Sequence, residues 1–370
     1  MSIADDLRDA DPSSFIKDFG AGSIHMRKRV AVGILGATGS VGQRLVALLT
    51  KHPWFTITAL AASEKNSGKS YREAVDWRMS EPLNSDVGSL IMQKAEPGLA
   101  CDLVFSALDG QIAGEIEERF SEAGYPVISC AKSHRMDPDV PLFIPEVNEE
   151  HLQLVKGKKG MIITKPNCSV IGLALALRPL QLEFGIEEVH VCTLQALSGA
   201  GFPGVPALST LDNVVPYISG EEERLELEPA KVLGSFSGGA ITPYPMKISA
   251  TCTRVPVTDG HLELVSVKFK EKPTKEAIIR AWSEFEPAMQ ELKLPSACAK
   301  IIHYFPQDDF PQPKLHRDLE GGMAVSVGRL RECPLFDYKF VLLSHNTIRG
   351  AAGGAILIAE LLIKRGLIFW

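Results

Sequence analysis

Cys168 is the residue whose type and position most favour covalent chemistry. It lies in the segment 165–169 (KPNCS), just before an apolar run at helical spacing over 170–178. Pro166 disfavours helix at the residue before it and Asn167 is a good N-cap, so the pattern predicts Cys168 in the first turn of a helix. Free backbone N–H groups and the helix dipole favour a thiolate there and could bind an oxyanion. The alternative is a buried, small apolar residue, which is what most free cysteines are.

A thiol nucleophile needs a group that moves protons, and the candidate is His261. It follows an Asp-Gly turn in the segment 254–261 (RVPVTDGH), which begins with Arg254. This arrangement could place an imidazole and a guanidinium at one pocket edge, where the arginine would bind a carboxylate bidentately. Because the chain has nine histidines, a surface histidine beside a structural arginine is the alternative.

A glycine-rich turn between a predicted strand and a predicted helix is typical of a dinucleotide site. Residues 29–35 are apolar and β-branched, as in a buried strand, and the turn 36–42 (GATGSVG) follows at once. Its glycines, spaced G-x-x-G-x-x-G, let backbone amides approach a pyrophosphate at the helix N-terminus. The predicted cofactor contacts in this turn are Gly36, Thr38, Gly39, Ser40 and Val41.

The end of the next predicted strand, 56–62, indicates which nicotinamide cofactor fits. A site for NAD usually has Asp or Glu there, whereas this strand is followed by Ser63, with Lys65 and Lys69 close behind. A hydroxyl and two cations suit a 2′-phosphate, so the sequence predicts NADP over NAD. Glu64 opposes that interpretation, and lysines in a solvated loop are the alternative.

Further strand–helix units extend the first half of the chain into a doubly wound parallel sheet. Predicted strands cover 101–107 and 125–130. Ligands bind at the carboxyl ends of the strands in such sheets, which places Ser106 and Asp109 toward the cofactor. Arg135, in the loop after the second of these strands, is the best candidate for an anion contact, with a surface arginine as the alternative.

After Cys168 the pattern changes to strands that alternate apolar and polar residues, which is typical of a half-exposed antiparallel sheet. A helix is predicted over 275–292, and a small-residue helix over 346–369 is expected to return to the first domain. The predicted strands of this half are 187–195, 247–255, 262–269, 324–330 and 338–344. The expected fold is an α/β Rossmann-type dinucleotide-binding domain plus an α+β domain with a mostly antiparallel sheet.

Composition argues against several other classes of protein. The 370 residues carry a net charge of −6 with no block of Lys or Arg, which argues against a nucleic-acid surface. Seven scattered cysteines without a C-x-x-C pair favour reduced thiols in a cytoplasmic compartment over a disulfide framework or a zinc site. Residues 1–26 lack an apolar run, so we expect a flexible tail and not a secretory signal. The apolar stretch 350–363 is interrupted by Glu360 and too short to span a bilayer.

Six motifs together make the chain from residue 29 to the C-terminal helix resemble the aspartate-semialdehyde dehydrogenases. They are 36–42, 166–169 (PNCS), 194–201 (LQALSGAG), 220–223 (GEEE), 254–261 and 346–350 (NTIRG). The archaeal and fungal branch is indicated by 221–223 (EEE) and 311–323 (PQPKLHRDLEGGM). The resemblance implies a homodimer or homotetramer. It also implies an NADP-binding domain over 27–166 plus 346–370, and a catalytic and dimerisation domain over 167–345.

The resemblance implies roles for the residues that match the motifs of the family. Cys168 matches the nucleophile, His261 the acid/base residue, and Gln195 the residue that orients the bound intermediate. Arg254 matches the guanidinium that grips the substrate carboxylate, and Glu221 the group that receives its amino end.

Other matches concern phosphate and cofactor. Arg135 matches a phosphate-binding arginine, and Arg224 stands where a phosphate-binding lysine is common. Position 130 is Cys where the family commonly has Asn, which is a second departure. The resemblance implies further cofactor-side contacts from Ser198, Gly199 and Asn346.

The implied reaction is NADP-dependent reductive dephosphorylation of L-aspartyl-4-phosphate to L-aspartate 4-semialdehyde, which feeds lysine, threonine and methionine synthesis. It proceeds through a thioester on Cys168, and its partners are a small-molecule substrate and phosphate. Malonyl-CoA reductase and N-acetylglutamyl-phosphate reductase are rivals on the same scaffold, and Glu221 with Arg254 disfavours both. A non-enzymatic NADP-binding regulator would not need Cys168, and a cysteine hydrolase leaves the glycine turn unexplained.

Overall fold

The first sheet consists of six parallel strands in a computed structural model that describes residues 29–368. These strands are β1 (Val30–Leu35), β2 (Phe55–Ala62), β3 (Gln93–Lys94), β4 (Leu103–Ser106), β5 (Pro126–Ser129) and β6 (Met161–Thr164). Their order is β3-β2-β1-β4-β5-β6, and β1, β4 and β5 are buried throughout. This confirms the doubly wound parallel sheet, in which all carboxyl ends meet at one edge. The tail predicted over residues 1–26 lies outside the described part of the chain.

Between residue 29 and β6 the structure has four α-helices, of which the longest two are amphipathic. They are α1 (Ser40–Thr50), α2 (Tyr71–Ala74), α3 (Ser85–Ser89) and α4 (Ala113–Glu122). The turn between β1 and α1 needs glycine at two positions. Gly36 has a φ of +75°, and a Cβ there would lie 2.5 Å from the Ala107 carbonyl oxygen. A Cβ on Gly42 would lie 2.2 Å from the Gly36 carbonyl oxygen, so the helix starts tight against the turn.

The second sheet is mixed, so the prediction of a mostly antiparallel sheet is matched only in part. Its strands are β7 (Ile186–Gln195), β10 (Lys247–Arg254), β11 (His261–Phe269), β12 (Ile302–Phe305), β13 (Val325–Glu332) and β14 (Tyr338–Ser344), beside a hairpin of β8 (Ser235–Ser237) and β9 (Ala240–Thr242). The order is β10-β7-β11-β14-β13-β12. The inner pairs are antiparallel, but β10–β7 and β12–β13 are parallel. Both parallel pairs are joined by long crossovers, which parallel strands require and residue alternation does not reveal.

The remaining helices are α5 (Cys168–Phe184), α6 (Ala207–Thr210), α7 (Glu221–Val232), α8 (Lys275–Ser283), α9 (Pro313–His316) and α10 (Gly353–Lys364). The helix predicted over 275–292 is wrong in length. It stops at Ser283, and a separate 3₁₀ turn, Ala288–Leu292, follows Pro287, because a proline disfavours helix at the residue before it. The closing helix is also shorter than predicted. It starts as a π-helical turn, Ile348–Ala352, and continues as α10.

Helix α5 is the central helix of the molecule, and it is apolar on nearly every side. All residues from Ser169 to Leu177 are buried, together with Pro179 and Leu180. It packs on one face of the second sheet, against β11, β13 and β14, and also against α7 and α8. Helix α10 returns to the first sheet and packs against α1 and β5. Of the helices within residues 29–368, none is long and apolar enough to cross a membrane.

Two buried polar contacts fasten the end of the chain to its first half. Arg349 donates to both oxygens of Glu146 at 2.7 and 2.6 Å, with both side chains 1% exposed. Glu360 of α10 is fully buried and accepts from Ser296, and it lies 2.6 Å from Nε2 of His52. Breaking a buried ion pair leaves an uncompensated charge, so these contacts are sensitive to loss of one partner.

We predict that Arg349→Met lowers the free energy of unfolding by about 3–5 kcal/mol, because Glu146 would keep a buried charge without its partner. Thermal or urea unfolding measures this change. The matched control is Arg365→Met, which removes a half-exposed arginine paired with Glu149 and should cost at most about 1 kcal/mol. Equal decreases in the free energy of unfolding of the two variants would contradict a larger contribution from the buried Arg349–Glu146 pair.

Candidate active site

Cys168 is the first residue of α5, which confirms the helix start predicted from the sequence. The Asn167 side-chain oxygen caps the helix, accepting the Ser169 N–H at 2.9 Å. The cysteine is partly exposed, and Gly350 packs directly on it. A Cβ at Gly350 would lie 2.7 Å from the Cys168 Cβ, so the main chain before α10 forms one wall beside the thiol.

His261 lies against the thiol at the first residue of β11. Its Nε2 is 3.2 Å from the Cys168 sulfur, and its Nδ1 accepts the backbone N–H of Ala196 at 3.1 Å. An acceptor at Nδ1 places the proton of the neutral ring on Nε2, which is the nitrogen that faces sulfur. The pKa of His261 is lowered to about 3, chiefly by burial and then by the positive charge of Arg254 and the nearby His345. The ring is therefore neutral at physiological pH and presents an N–H to the sulfur.

The pKa of Cys168 is raised to about 11, chiefly by burial and then by the negative charge of Glu221. Three cations lower the pKa of the thiol, namely Lys165, Arg135 and Arg254. The free backbone N–H groups of the helix start also favour the thiolate, as the sequence indicated. In the free protein, burial outweighs the effects that favour the thiolate. Because the charge of Glu221 also raises the pKa of Cys168, removing that charge should make the thiol more reactive.

Glu221, the first residue of α7, is the centre of a saturated hydrogen-bond network. Its carboxylate accepts from the Asn167 amide at 2.9 and 3.0 Å, from the Gln195 amide at 3.2 Å and from the Arg224 guanidinium. Each oxygen thus already accepts two hydrogen bonds, and the residue is 8% exposed. An amino group that binds Glu221 must displace a donor, and Arg224 is the most exposed of the three. The structure pairs Arg224 with this carboxylate, whereas the sequence suggested a phosphate.

Arg254 ends β10 on the same side of the thiol as His261. It is buried, and its Nη1 donates to the Ala196 carbonyl at 2.7 Å. The 3₁₀ turn Leu197–Ala200 covers both side chains. A Cβ on Gly199 would lie 2.8 Å from Arg254 Nη1 and 3.2 Å from His261 Nε2, so a glycine is needed at this point of the loop.

Arg135 is buried near the thiol and held on two sides. Its Nη1 donates to Glu228 at 2.9 Å and its Nη2 to the Cys130 carbonyl at 3.3 Å. Among the described residues, its Nε has no hydrogen-bond partner. The contact with position 130 uses the main chain, so the replacement of the family's asparagine by Cys130 does not remove it.

The predicted cofactor residues of the first half lie at the carboxyl edge of the first sheet, and the loop after β7 contacts them. In that loop, the Phe202 N–H donates to Ser40 at 2.9 Å, and Ser198 accepts from the Asn346 amide at 2.8 Å. Ser63 is exposed at the end of β2. Ser106 is fully buried beside Glu117, and its carbonyl oxygen accepts the Cys130 N–H at 2.8 Å.

The glycine turn fits a pyrophosphate. Gly39 is the N-cap of α1 and no side chain caps that helix, so the N–H groups of its first turn remain available to an anion. Only the Gly36 carbonyl lies near a Cβ built at Gly39, at 3.5 Å, so the approach is open. Thr38, Gly39, Ser40 and Val41 would line this contact. Across residues 29–368, no group of three or more His, Cys, Asp or Glu side chains is arranged to hold a metal ion.

Several residues of the site were not identified from the sequence. Lys165 is buried beside the thiol. It belongs to the motif 165–169, but no role was predicted for it. Glu228 and Lys231 follow Glu221 at helical spacing on α7, which is the signal that could have found them. Glu263 is fully buried, with no donor in the described chain near either oxygen, and burial followed by Glu221 raises its pKa well above the ordinary value.

We predict that Glu221→Gln speeds alkylation of Cys168 by iodoacetamide several-fold at pH 8, because it removes a charge that raises the thiol pKa. The rate of the unsubstituted protein should climb through pH 7–9, since the pKa is about 11. The control is Glu223→Gln, an exposed acid of the same helix turn, which should leave the rate unchanged. A rate that is already constant above pH 7 would show a preformed thiolate and contradict this account.

Two family comparisons cover most of the chain. Residues 31–155 match the family described as "Semialdehyde dehydrogenase, NAD binding domain", and residues 177–349 match "Semialdehyde dehydrogenase, dimerisation domain". Among curated relatives, aspartate-semialdehyde dehydrogenase of Archaeoglobus fulgidus is 47% identical, over 92% of this chain and 100% of its own. The enzyme of Candida albicans is 48% identical, over 91% and 98%.

Solved structures give the same result. The Candida albicans aspartate-semialdehyde dehydrogenase with NADP superposes with a TM-score of 0.87 at 45% identity, covering 92% of this chain and 100% of that one. An aspartate-semialdehyde dehydrogenase II of Vibrio cholerae, complexed with ASA, has a TM-score of 0.73 at 26% identity, covering 91% and 99%. The chain therefore belongs to the aspartate-semialdehyde dehydrogenase family.

Proposed function

We propose that this chain catalyses the NADP-dependent reductive dephosphorylation of L-aspartyl-4-phosphate to L-aspartate 4-semialdehyde in lysine, threonine and methionine synthesis. The observation that supports it most directly is the Cys168–His261 contact of 3.2 Å at a helix N-terminus, beside Arg254 and Glu221. A carboxylate-binding and an ammonium-binding group next to one thiol suit a substrate with a free α-amino group and an α-carboxylate. The acyl group of malonyl-CoA has no amino group, and the nitrogen of N-acetylglutamyl phosphate is an uncharged amide. The dehydrogenase is thus favoured over the related acylating reductases.

The Cys168 sulfur attacks the acyl carbon of the substrate, and the bond from that carbon to the phosphate oxygen breaks. The products are a thioester on Cys168 and inorganic phosphate, which carries the thiol proton away as HPO₄²⁻. The N–H of His261 Nε2 faces the sulfur, so it is placed to hydrogen-bond first the thiolate and then the oxygen that develops negative charge on the attacked carbon. The backbone N–H groups at the start of α5 supply further donors.

The substrate is held at both ends while this takes place. Arg254 binds the α-carboxylate, and Glu221 receives the amino group, displacing one of the donors that it holds in the free protein. Gln195 donates to Glu221 at 3.2 Å, and this contact holds its side chain where it would orient the bound intermediate. Arg135, with its unpaired Nε, binds the phosphate group, and Arg224 is the second cation for it once Glu221 takes the substrate.

The cofactor binds along the carboxyl edge of the first sheet. Gly36 to Val41 would hold the pyrophosphate, while Ser198, Gly199 and Asn346 would hold the nicotinamide end near Cys168. When bound, NADPH supplies the hydride that reduces the thioester to the aldehyde. Ser63 and the exposed Lys65 and Lys69 are positioned after β2 to contact a 2′-phosphate, while Glu64 pairs with Lys94 at 3.2 Å and does not compete.

The assembly that we propose is a homodimer, with a homotetramer as the larger alternative. The second sheet leaves one face partly open, where Leu264 is 42% exposed, and Leu208 and Tyr217 are 93% and 62% exposed. Apolar side chains exposed in this way favour contact with a second copy. We also propose the cofactor domain over 27–166 plus 346–370, the catalytic and dimerisation domain over 167–345, and a cytoplasmic location.

We predict that Cys168→Ser lowers turnover by roughly 10⁴-fold or more, because the hydroxyl is a far weaker nucleophile than the thiol. The assay follows NADPH formation with phosphate and either aspartate semialdehyde or malonate semialdehyde. Cys333→Ser, which changes a free cysteine in the turn between β13 and β14, is the control and should retain full activity. Near-normal turnover without Cys168 would favour a cofactor-binding regulator, and preference for malonate semialdehyde would favour the rival reductase.

We predict that Lys65→Ala with Lys69→Ala raises KM for NADP by roughly tenfold and leaves KM for NAD unchanged, since each exposed ion pair contributes up to about 1 kcal/mol. The matched control is Lys156→Ala with Lys158→Ala. These exposed lysines precede the amino end of β6, at the opposite edge of the same sheet. If the two KM values rise together, the 2′-phosphate contact is not at these lysines.

A further inference from the structure

One face of α7 carries a row of buried charged side chains. Glu221, Glu228 and Lys231 are spaced by seven and three residues, so they project from the same side of the helix. Each is at most 8% exposed. Glu221 belongs to the substrate site, but neither Glu228 nor Lys231 has a role in the chemistry described above.

The Glu228 carboxylate joins two parts of the active site. Its Oε1 accepts from Arg135 Nη1 at 2.9 Å, and its Oε2 accepts the backbone N–H of Asn167 at 2.6 Å. Asn167 is the N-cap of α5 and directly precedes Cys168. A single carboxylate therefore contacts both the arginine and the residue that fixes the nucleophile.

Lys231 secures the same arginine from its main-chain side. Its Nζ donates to the carbonyl oxygens of Arg135, Asp137 and Val140 at 2.8, 2.7 and 2.9 Å. With Nη1 and Nη2 also occupied, the guanidinium is fixed in orientation, and Nε is the nitrogen that has no partner within residues 29–368. The guanidinium is thus oriented by α7 before any anion arrives.

We propose that Glu228 is a positioning residue that sets the distance between the phosphate-binding guanidinium of Arg135 and the sulfur of Cys168. This inference rests on the proposed function, in which Arg135 binds the phosphate of the acyl phosphate. In that substrate the carbon under attack and the phosphorus are separated by one bridging oxygen, so sulfur and guanidinium must keep a fixed spacing. Such groups need to be held to within about 0.5 Å. Glu228 provides this by contacting both without touching the substrate.

The test is Glu228→Gln, assayed in the direction that consumes phosphate. Glutamine has one acceptor oxygen in place of two, so it cannot accept from both Arg135 and Asn167. KM for phosphate should rise roughly tenfold or more. KM for NADP should change little, and so should kcat when it is calculated per molecule whose Cys168 thiol can be alkylated. Glu228→Asp is the second test, for use if Glu228→Gln does not fold. It keeps the charge but is one methylene shorter, so it should also raise KM for phosphate.

Glu226→Gln is the matched control, because Glu226 is an exposed acid of the same helix that also accepts a backbone N–H, from Ala250 at 3.0 Å. It should leave KM for phosphate unchanged. A purely structural role for Glu228 would reduce the amount of folded protein and leave this KM unaltered, which would overturn the inference.

Arg135→Ala separates this inference from the proposed function. If it leaves KM for phosphate unchanged, the phosphate role of Arg135 fails, and the inference fails with it. If it raises that KM and the Glu228 variants do not, only the inference fails. Should both raise it, adding Glu228→Gln to Arg135→Ala is expected to cause no further increase, because Glu228 acts through the arginine. An additive increase would contradict that coupling.

Discussion

The position of the nucleophile depends on how Asn167 is held. Its side-chain oxygen caps α5, its side-chain amide donates to Glu221, and its backbone N–H donates to Glu228. Every polar group that Asn167 directs toward the site is therefore used, and two of the three partners come from α7. Asn167 in this way connects α5, the helix that carries Cys168, to α7, the helix that carries Glu221 and Glu228.

The charges around the thiol are arranged in nearly balanced pairs. Arg135 is paired with Glu228, and Arg224 with Glu221. Burying an unpaired charge is costly, which explains why a site for an anionic substrate holds so many acids. In the proposed reaction this pairing makes substrate binding an exchange. The ion pair between Glu221 and the substrate amino group forms as the pair between Glu221 and Arg224 opens, so specificity would come from the difference between the two sets of contacts.

The sequence allowed the features set by local chemistry to be predicted. The cap at Asn167, the helix start at Cys168 and the glycine turn at Gly36 all follow from short-range rules, and the structure confirms each. The mixed second sheet was not predictable, because alternation along a strand says which face is buried but not the direction of its neighbour. The contacts of Glu228 lie 93 and 61 residues away along the chain. No local pattern encodes such distances.

The closing segment of the chain has a consequence for synthesis. Glu146 and His52 belong to the first half, yet their buried partners, Arg349 and Glu360, lie 203 and 308 residues later in the chain. During translation the parallel sheet emerges complete while Glu146 has no cation to neutralise it and α1 lacks the helix that covers it. The nucleotide-binding half therefore reaches its final packing only after residues 349–360 have been made.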